Sequence, residues 1–296
     1  MKKITPIILI LLTGFLAWNF FIKPYDYLVS FKAKTTAGTI NQSLKIWNKE
    51  LKNENKINQK NLYSLNQKIN INDSIFDYNW EVKAINDSLS KVKVYVTDVK
   101  NSFKNRLSIL FSKTDFEKRT KNTITEFVEK LNEHLKKIKV SNIQTGITRE
   151  SYCAYVSLKG LQVNKAREMM QFYPQISGFL NNNKVKFNGT PFIEVTKWNI
   201  EKDSINYNFC FPIVYNDSLP RNSGIKYKKH KRIKALKAIY NGNYITSDRA
   251  WYRLLEYAKQ NNIKIKNTPI EVFYNNPNFG GDALRWKAEI YMPIKN

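Results

Sequence analysis

The rhythm of apolar and polar positions changes several times along the chain, and each change marks an element. Residues 4–22 carry no charge; Lys2 and Lys3 precede them, and Lys23 with Pro24 closes them. At about 1.5 Å per residue, a helix over this run nearly matches a bilayer core of roughly 30 Å. Trp18, Phe20 and Phe21 cluster at its far end, where interfacial aromatics sit. After Leu16 comes Ala17-Trp18-Asn19-Phe20, which is no small-x-small cleavage site, so an uncleaved transmembrane anchor is expected over residues 1–24. The N-terminal lysines then predict a single-pass membrane protein with a cytoplasmic N-terminus and an exported, periplasmic or extracytoplasmic body.

Residues 25–34 alternate as a strand. Ile40, Leu44, Trp47 and Leu51 share one helical face. Residues 52–68 are polar and Asn-rich and read as a loop. From Phe76 to Val99 alternation returns, with Val92, Val94 and Val96 set against Lys93, Tyr95 and Thr97, and Asn86-Asp87-Ser88 as the turn. Ile124, Phe127, Val128, Leu131, Leu135 and Ile138 make the stripe of a long helix. Strand, helix, strands and a long closing helix over residues 25–140 are similar in order to a shortened polyketide-cyclase/START-like (SRPBCC) helix-grip domain. That resemblance carries no specific motif.

Residues 139–146 read as a linker, and the rest of the chain, 141–296, holds a repeat. Asn181-Asn-Asn-Lys-Val-Lys, Thr190-Pro-Phe-Ile-Glu-Val195 and Phe209-Cys-Phe-Pro-Ile213 recur as Asn261-Asn-Ile-Lys-Ile-Lys, Thr268-Pro-Ile-Glu-Val272 and Tyr291-Met-Pro-Ile294. Each copy reads as strand, helix and two strands. The first helix carries Ala166, Met169 and Met170 inward and is interrupted at Pro174. The second carries Ala250, Trp251, Leu254, Leu255 and Ala258, with Thr246, Ser247 or Asp248 as its cap. Between the copies, residues 226–237 hold seven Lys or Arg and read as a solvated link. Gly280 and Gly281 offer positive φ in the last loop. The fold class expected is therefore α+β: a transmembrane helix, a small helix-grip-like domain and a duplicated βαββ domain.

Composition narrows the chemistry. Net charge is +25 and aromatics make up 14% of the chain, so cores can form and anionic surroundings are favoured. No zinc-finger spacing, basic zipper or helix-turn-helix pair accompanies the charge, and nothing recommends nucleic acid as a partner. Cys153 and Cys210, with His134 and His230, form no CxxC or HExxH pattern, so neither metal nor cofactor is expected. The two cysteines lie on expected strands of the first copy, where an exported protein could pair them. Strand parity puts Glu271 with Phe273 on one face of their strand and Glu289 with Tyr291 on one face of theirs. The repeat equates Glu289 with Asn208 and Tyr291 with Cys210.

The segments Tyr155-Val-Ser-Leu-Lys-Gly160, Phe209-Cys-Phe-Pro-Ile213, Tyr240-Asn-Gly-Asn-Tyr244, Pro269-Ile-Glu-Val-Phe273 and Ala288-Glu-Ile-Tyr-Met-Pro-Ile294 resemble the GyrI-like small-molecule-binding domain, also called the AraC effector-binding domain. The resemblance implies two pseudo-symmetric βαββ units around a central cleft that takes lipophilic, often cationic compounds. On it, Glu271 and Glu289 become the acidic wall, Phe273, Trp286 and Tyr291 the aromatic one, and Asn208 completes the set. No helix-turn-helix stands before this domain, which argues against a transcriptional role. The function expected is a membrane-anchored binding protein for a lipophilic, possibly cationic molecule. One alternative is a hydrolase of reactive small molecules, as some GyrI-like proteins are, with Glu289 or Glu271 as general base. The other is a structural or partner-binding envelope protein whose protein partner the chain does not name.

Overall fold

The computed structural model describes residues 4–51, 56–71, 74–221 and 224–295. The chain divides into two units, Met1–Lys83 with Ser90–Asn132, and Ala84–Leu89 with Glu133–Asn296.

In the first unit, helix α1 covers Ile4–Ala17 and runs into a π-helical turn at Trp18–Ile22. The span expected there is thus not one α-helix. Fourteen α-helical residues reach about 21 Å, short of the roughly 30 Å apolar core. Arg106 ties the far end down, donating to the Asn19 and Phe20 carbonyls at 3.2 Å each and to Asp26 at 2.7 Å. Among the described residues no helix is long and apolar enough to cross a membrane.

Strand β1 (Tyr27–Ala33) leads to α2 (Ala37–Glu50), which Thr36 caps by accepting from the Thr39 N–H at 3.2 Å. Then follow β2 (Lys56–Asn61), β3 (Ser64–Ile71), β4 (Ser74–Asn86) and β5 (Leu89–Asp98). Helices α3 (Ser102–Ile109) and α4 (Asp115–Lys136) close the unit. The sheet order is β1-β5-β4-β3-β2. Of residues 52–68, read as a loop, 52–55 lie outside the described residues and 56–68 instead supply β2 and most of β3. Their period of two is masked by polar side chains on the outer face, while Leu65, Gln67 and Ile69 are buried. Gln67 earns its place by bonding: its amide donates to Asn48 at 2.8 Å and accepts from Trp80 at 3.1 Å. Phe127 of α4 packs on Trp47 at 5.5 Å and Trp80 at 5.1 Å.

The second unit is built on a nine-stranded antiparallel sheet. Its strands are β6 (Ile138–Val140), β7 (Gln144–Ile147), β8 (Ser151–Leu161), β9 (Phe192–Asn199), β10 (Ser204–Ile213), β11 (Lys226–His230), β12 (Lys234–Gly242), β13 (Ile270–Phe273) and β14 (Lys287–Pro293). They run β11-β8-β10-β9-β13-β14-β12-β6, with β7 also on β12. Two stretches read as links are therefore sheet. Residues 139–146 contribute β6 and β7. The basic run contributes β11 and the start of β12, because Lys226–His230 pairs Ser151–Tyr155 along its backbone whatever its side chains carry. Helix α5 (Lys165–Asn182) passes unbroken through Pro174, and α6 is Arg249–Gln260. Both helices end on a left-handed residue, Lys184 (φ 58°) and Asn262 (φ 53°). Gly280 and Gly281 take φ of 69° and 96°, as a turn without Cβ allows. Neither Ser247 nor Asp248 caps α6; both side chains are used inside the domain, as described next.

The two copies meet at β9 and β13, where Ile193 faces Glu271. Pairing of β9 with β10 sets Ile193 against Phe209, and pairing of β13 with β14 sets Glu271 against Ile290. The structural counterpart of Glu271 is therefore Ile193 and not Glu194. The two Thr-Pro pairs align, but the extra Phe-Ile residue of the first copy shifts the Glu-Val pairs out of step, and a one-residue step changes face.

Candidate functional site

Between α5 and the loops of the second copy lies a cleft of about 680 Å³. Met169, Met170 and Tyr173 of α5 form one side. Phe209 and Phe273 line it from the sheet, and Tyr244 and Trp286 stand opposite with the Asn275–Asn278 loop. Tyr244 organises this wall. Its ring lies 4.9 Å from Phe273 and 5.8 Å from Trp286, and its hydroxyl donates to the Lys287 carbonyl at 2.8 Å. Burial pushes that hydroxyl up to about 12, with the charge of Glu271 adding to the shift, so it stays a neutral donor. Among the described residues, Arg167 is the one charged side chain on the lining; the amides of Asn243, Asn275, Asn276 and Asn278 supply polarity.

The six residues expected at one site are divided by the sheet. Phe273 and Trp286 line the cleft. Glu271 pairs across from Ile290, and Glu289 from Val272, so the two carboxylates point to opposite faces. Glu271 points to the helix side but does not reach the cleft surface. It is wholly buried, paired with Lys165 at 2.7 Å, with the Ser247 hydroxyl 2.9 and 3.1 Å from its two oxygens. Burial holds its carboxyl above the ordinary range, and Lys165 and Ser247 oppose that shift.

Glu289 and Tyr291 line a groove of about 390 Å³ on the other face, with His230, Arg149, Phe192, Ile270 and Val272, and Thr190 and Tyr274 border both this groove and the cleft. Here burial, which raises a carboxyl, is outweighed. Tyr291 donates to Glu289 at 2.7 Å, and Lys237 and Lys287 stand 3.0 Å away, holding it at about 2. Asn208 lies apart from both cavities, accepting from Ser157 at 2.9 Å and donating to Glu194 at 3.4 Å. Glu194 is itself held at about 2, by His230 and Lys228 against its burial. A general base works best with a pKa near the working pH. Glu289, saturated with donors, and Glu271, sealed from water, do not meet that need.

Cys153 and Cys210 share this second face and are buried free thiols. A hydrogen bond from Cys210 lowers the Cys153 thiol, and burial raises that of Cys210. Among the described residues no cluster of three or more His, Cys, Asp or Glu could hold a metal ion.

Sequence reasoning missed Lys165 and Ser247. The signal for Lys165 was present: it falls on the stripe of Met169, Ile176 and Leu180, at i, i+4, i+11 and i+15, as the one charge on a buried face. The methionines were read as core filler, and Tyr244, which opens the 3-10 turn Tyr244–Thr246, entered only as part of a segment of the family resemblance.

The C-terminal unit is thus of the duplicated βαββ class, with an aromatic cleft under one helix. The particular family follows from sequence: residues 150–295 match the GyrI-like small molecule binding domain. The match does not reach residues 1–149, where the SRPBCC resemblance rests on element order alone. No curated protein matches the chain. Among solved structures, the EcmrR C-terminal domain is 17% identical over 53% of this chain and 99% of its own, with a TM-score of 0.43. SAV2435 bound to tetraphenylphosphonium is 11% identical over 53% and 95%, with a TM-score of 0.36. A hydrolase from Listeria innocua is 9% identical over 52% and 92%, with a TM-score of 0.35.

Proposed function

We propose that the C-terminal domain binds a lipophilic, aromatic small molecule in the cleft between α5 and the Tyr244–Trp286 wall. The observation that carries this reading is the cleft itself. Its volume of about 680 Å³ falls in the usual range for ligand sites, and its surface is mostly aromatic and methionine with a few amides. An empty apolar space of this size would otherwise be filled by side chains, because interiors pack closely. Methionines adapt to irregular ligand shapes, and the flat rings of Phe273 and Trp286 offer stacking surfaces.

The probe that tests it is triphenylphosphine oxide, uncharged and of suitable size, followed by tryptophan fluorescence and thermal stabilisation. Saturable binding is expected, weakened at least about tenfold in Trp286→Ala and in Phe273→Ala, since a buried aromatic anchor carries that much affinity. Absence of saturation in the wild-type domain, for this probe and for tetraphenylphosphonium, would sink the reading.

A further inference from the structure

The Glu271 carboxylate, on the same strand face as Phe273 of the cleft, already has a cation, and the protein supplies it. Lys165 and Glu271 both have fully buried side chains 2.7 Å apart. Lys165 Nζ also donates to Ser247 Oγ at 2.7 Å and sits 4.6 Å from the centre of the Trp251 ring. An ammonium, a carboxylate, a hydroxyl and an aromatic face are thus gathered in one pocket of polar contacts, the set a bound organic cation would use.

This pocket lies one layer beneath the cleft. Lys165 is followed by Ala166 and, one turn on, by Met169, both on the cleft lining. Glu271 shares its strand face with Phe273, two residues on. Ser247 Oγ is 2.9 Å from the carbonyl of Tyr244, the residue that organises the cleft wall. A ligand pressed against Met169, Phe273 and Tyr244 would sense any charge left uncompensated here.

We infer that Lys165 is a tethered cation filling the charge site of this cleft, so that the domain selects uncharged apolar ligands over organic cations. The inference rests on the cleft being the binding site. A side chain on the same chain competes at high effective concentration. A ligand cation that displaced it would leave the lysine ammonium buried without a partner, which is costly. The ring of Trp251 is taken by the same ammonium, so neither half of the cation's recognition set is free.

The experiment compares three probes on the full chain by calorimetric titration: tetraphenylphosphonium, tetraphenylborate of nearly the same shape and opposite charge, and uncharged triphenylphosphine oxide. The reading is the ratio of cation to anion affinity relative to wild type, which cancels most of the field of the +25 surface. Lys165→Met shifts the ratio at least about tenfold towards the cation, and Glu271→Gln shifts it as far towards the anion. Lys165→Met combined with Glu271→Gln returns it to the wild-type value. The uncharged probe binds all four proteins within about threefold, since its contacts with Phe273 and Trp286 are kept. If that probe saturates while the ratio stays put in both single variants, Lys165 is no charge filter. If tetraphenylphosphonium saturates in wild type and the uncharged probe does not, the proposed selectivity is overturned; if neither saturates, the cleft reading itself has failed, a separate result. Should Lys165→Met not fold by circular dichroism, Glu271→Gln, which keeps the hydrogen-bonding shape, decides alone: an unmoved ratio overturns the proposal.

Discussion

The seam between β9 and β13 has two ends related by the duplication, and they hold opposite things. At one end the Phe273 N–H donates to the Pro191 carbonyl at 3.1 Å; at the other the Val195 N–H donates to the Pro269 carbonyl at 2.9 Å. The backbone is thus the same at both. Beside the first lies the open cleft with Phe273, Tyr244 and Trp286. Beside the second, Trp198 packs 5.2 Å from Trp251 and 5.4 Å from Tyr252, and Gln162 bonds Trp198, Tyr252 and Asp248 in a closed network. Duplication supplied two equivalent sites, and side-chain volume decided which became core and which stayed empty. The seam itself is equally uneven, since Glu271 stands where its counterpart is Ile193.

Emptying the closed end is the most severe way to break this contrast. Trp251 is fully buried, so Trp251→Ala is expected to cost about 3–5 kcal/mol in urea unfolding of the C-terminal domain. A loss below about 1 kcal/mol would mean that the end is loosely filled and the contrast overstated. Next comes the uneven seam. Lys165→Met strands Glu271 and should cost about 3–5 kcal/mol, whereas adding Glu271→Leu, which restores an apolar pair like that around Ile193, should recover most of it. Failure of the second change to rescue the first would show that Ser247 and Trp251 depend on the charges for their packing.

Much of this is legible in the sequence. The Thr-Pro repeats, the Pro-Ile strand ends and the period-two runs carry the paired βαββ design. The family resemblance grouped Phe273, Trp286 and the two glutamates in one cleft, and parity could not check that grouping, because parity within a strand says nothing about how two strands are set against each other. That register came from pairing, and it sends Glu271 and Glu289 to opposite faces. The basic strand β11 was hidden for a related reason: a sheet edge is built from backbone bonds, and its lysines made it look like a solvated link. The charge-free run at residues 4–22 shows the same limit, since composition reports apolarity but not the π-helical turn at Trp18–Ile22.

Acid should also tell the ends apart. His134 lies near Asp248 and Arg249 at the closed end, and burial first, then the Arg249 charge, lower its pKa from 6.5 to about 4. The unfolded chain therefore takes up a proton below about pH 6.5 that the folded domain refuses until about pH 4. Stability from this residue is intact above pH 6.5 and falls across that window, by on the order of 3 kcal/mol. His134→Leu should flatten the unfolding free energy between pH 6.5 and 4 without changing probe binding at the cleft. A slope that persists in the variant would assign the loss to other groups.

The smallest effect belongs to the face without helices, and it sharpens the distinction between the two glutamates. Glu289 is held at about 2 by Tyr291, Lys287 and Lys237 against its own burial, so its contribution is present above the ordinary carboxylate range and lost as pH falls towards 2. Tyr291→Phe removes one short donor and leaves both lysines. The expected cost is about 1 kcal/mol at neutral pH. The Glu289 titration, followed by carboxyl NMR, should move upward towards 4.5 while cleft binding stays unchanged. Glu271 sits on the opposite face with Lys165 and Ser247, so its own titration should not respond. If the Tyr291 change weakens binding of triphenylphosphine oxide, the two faces communicate through the sheet and their separation into a sealed pair and a solvent-edge pair no longer holds.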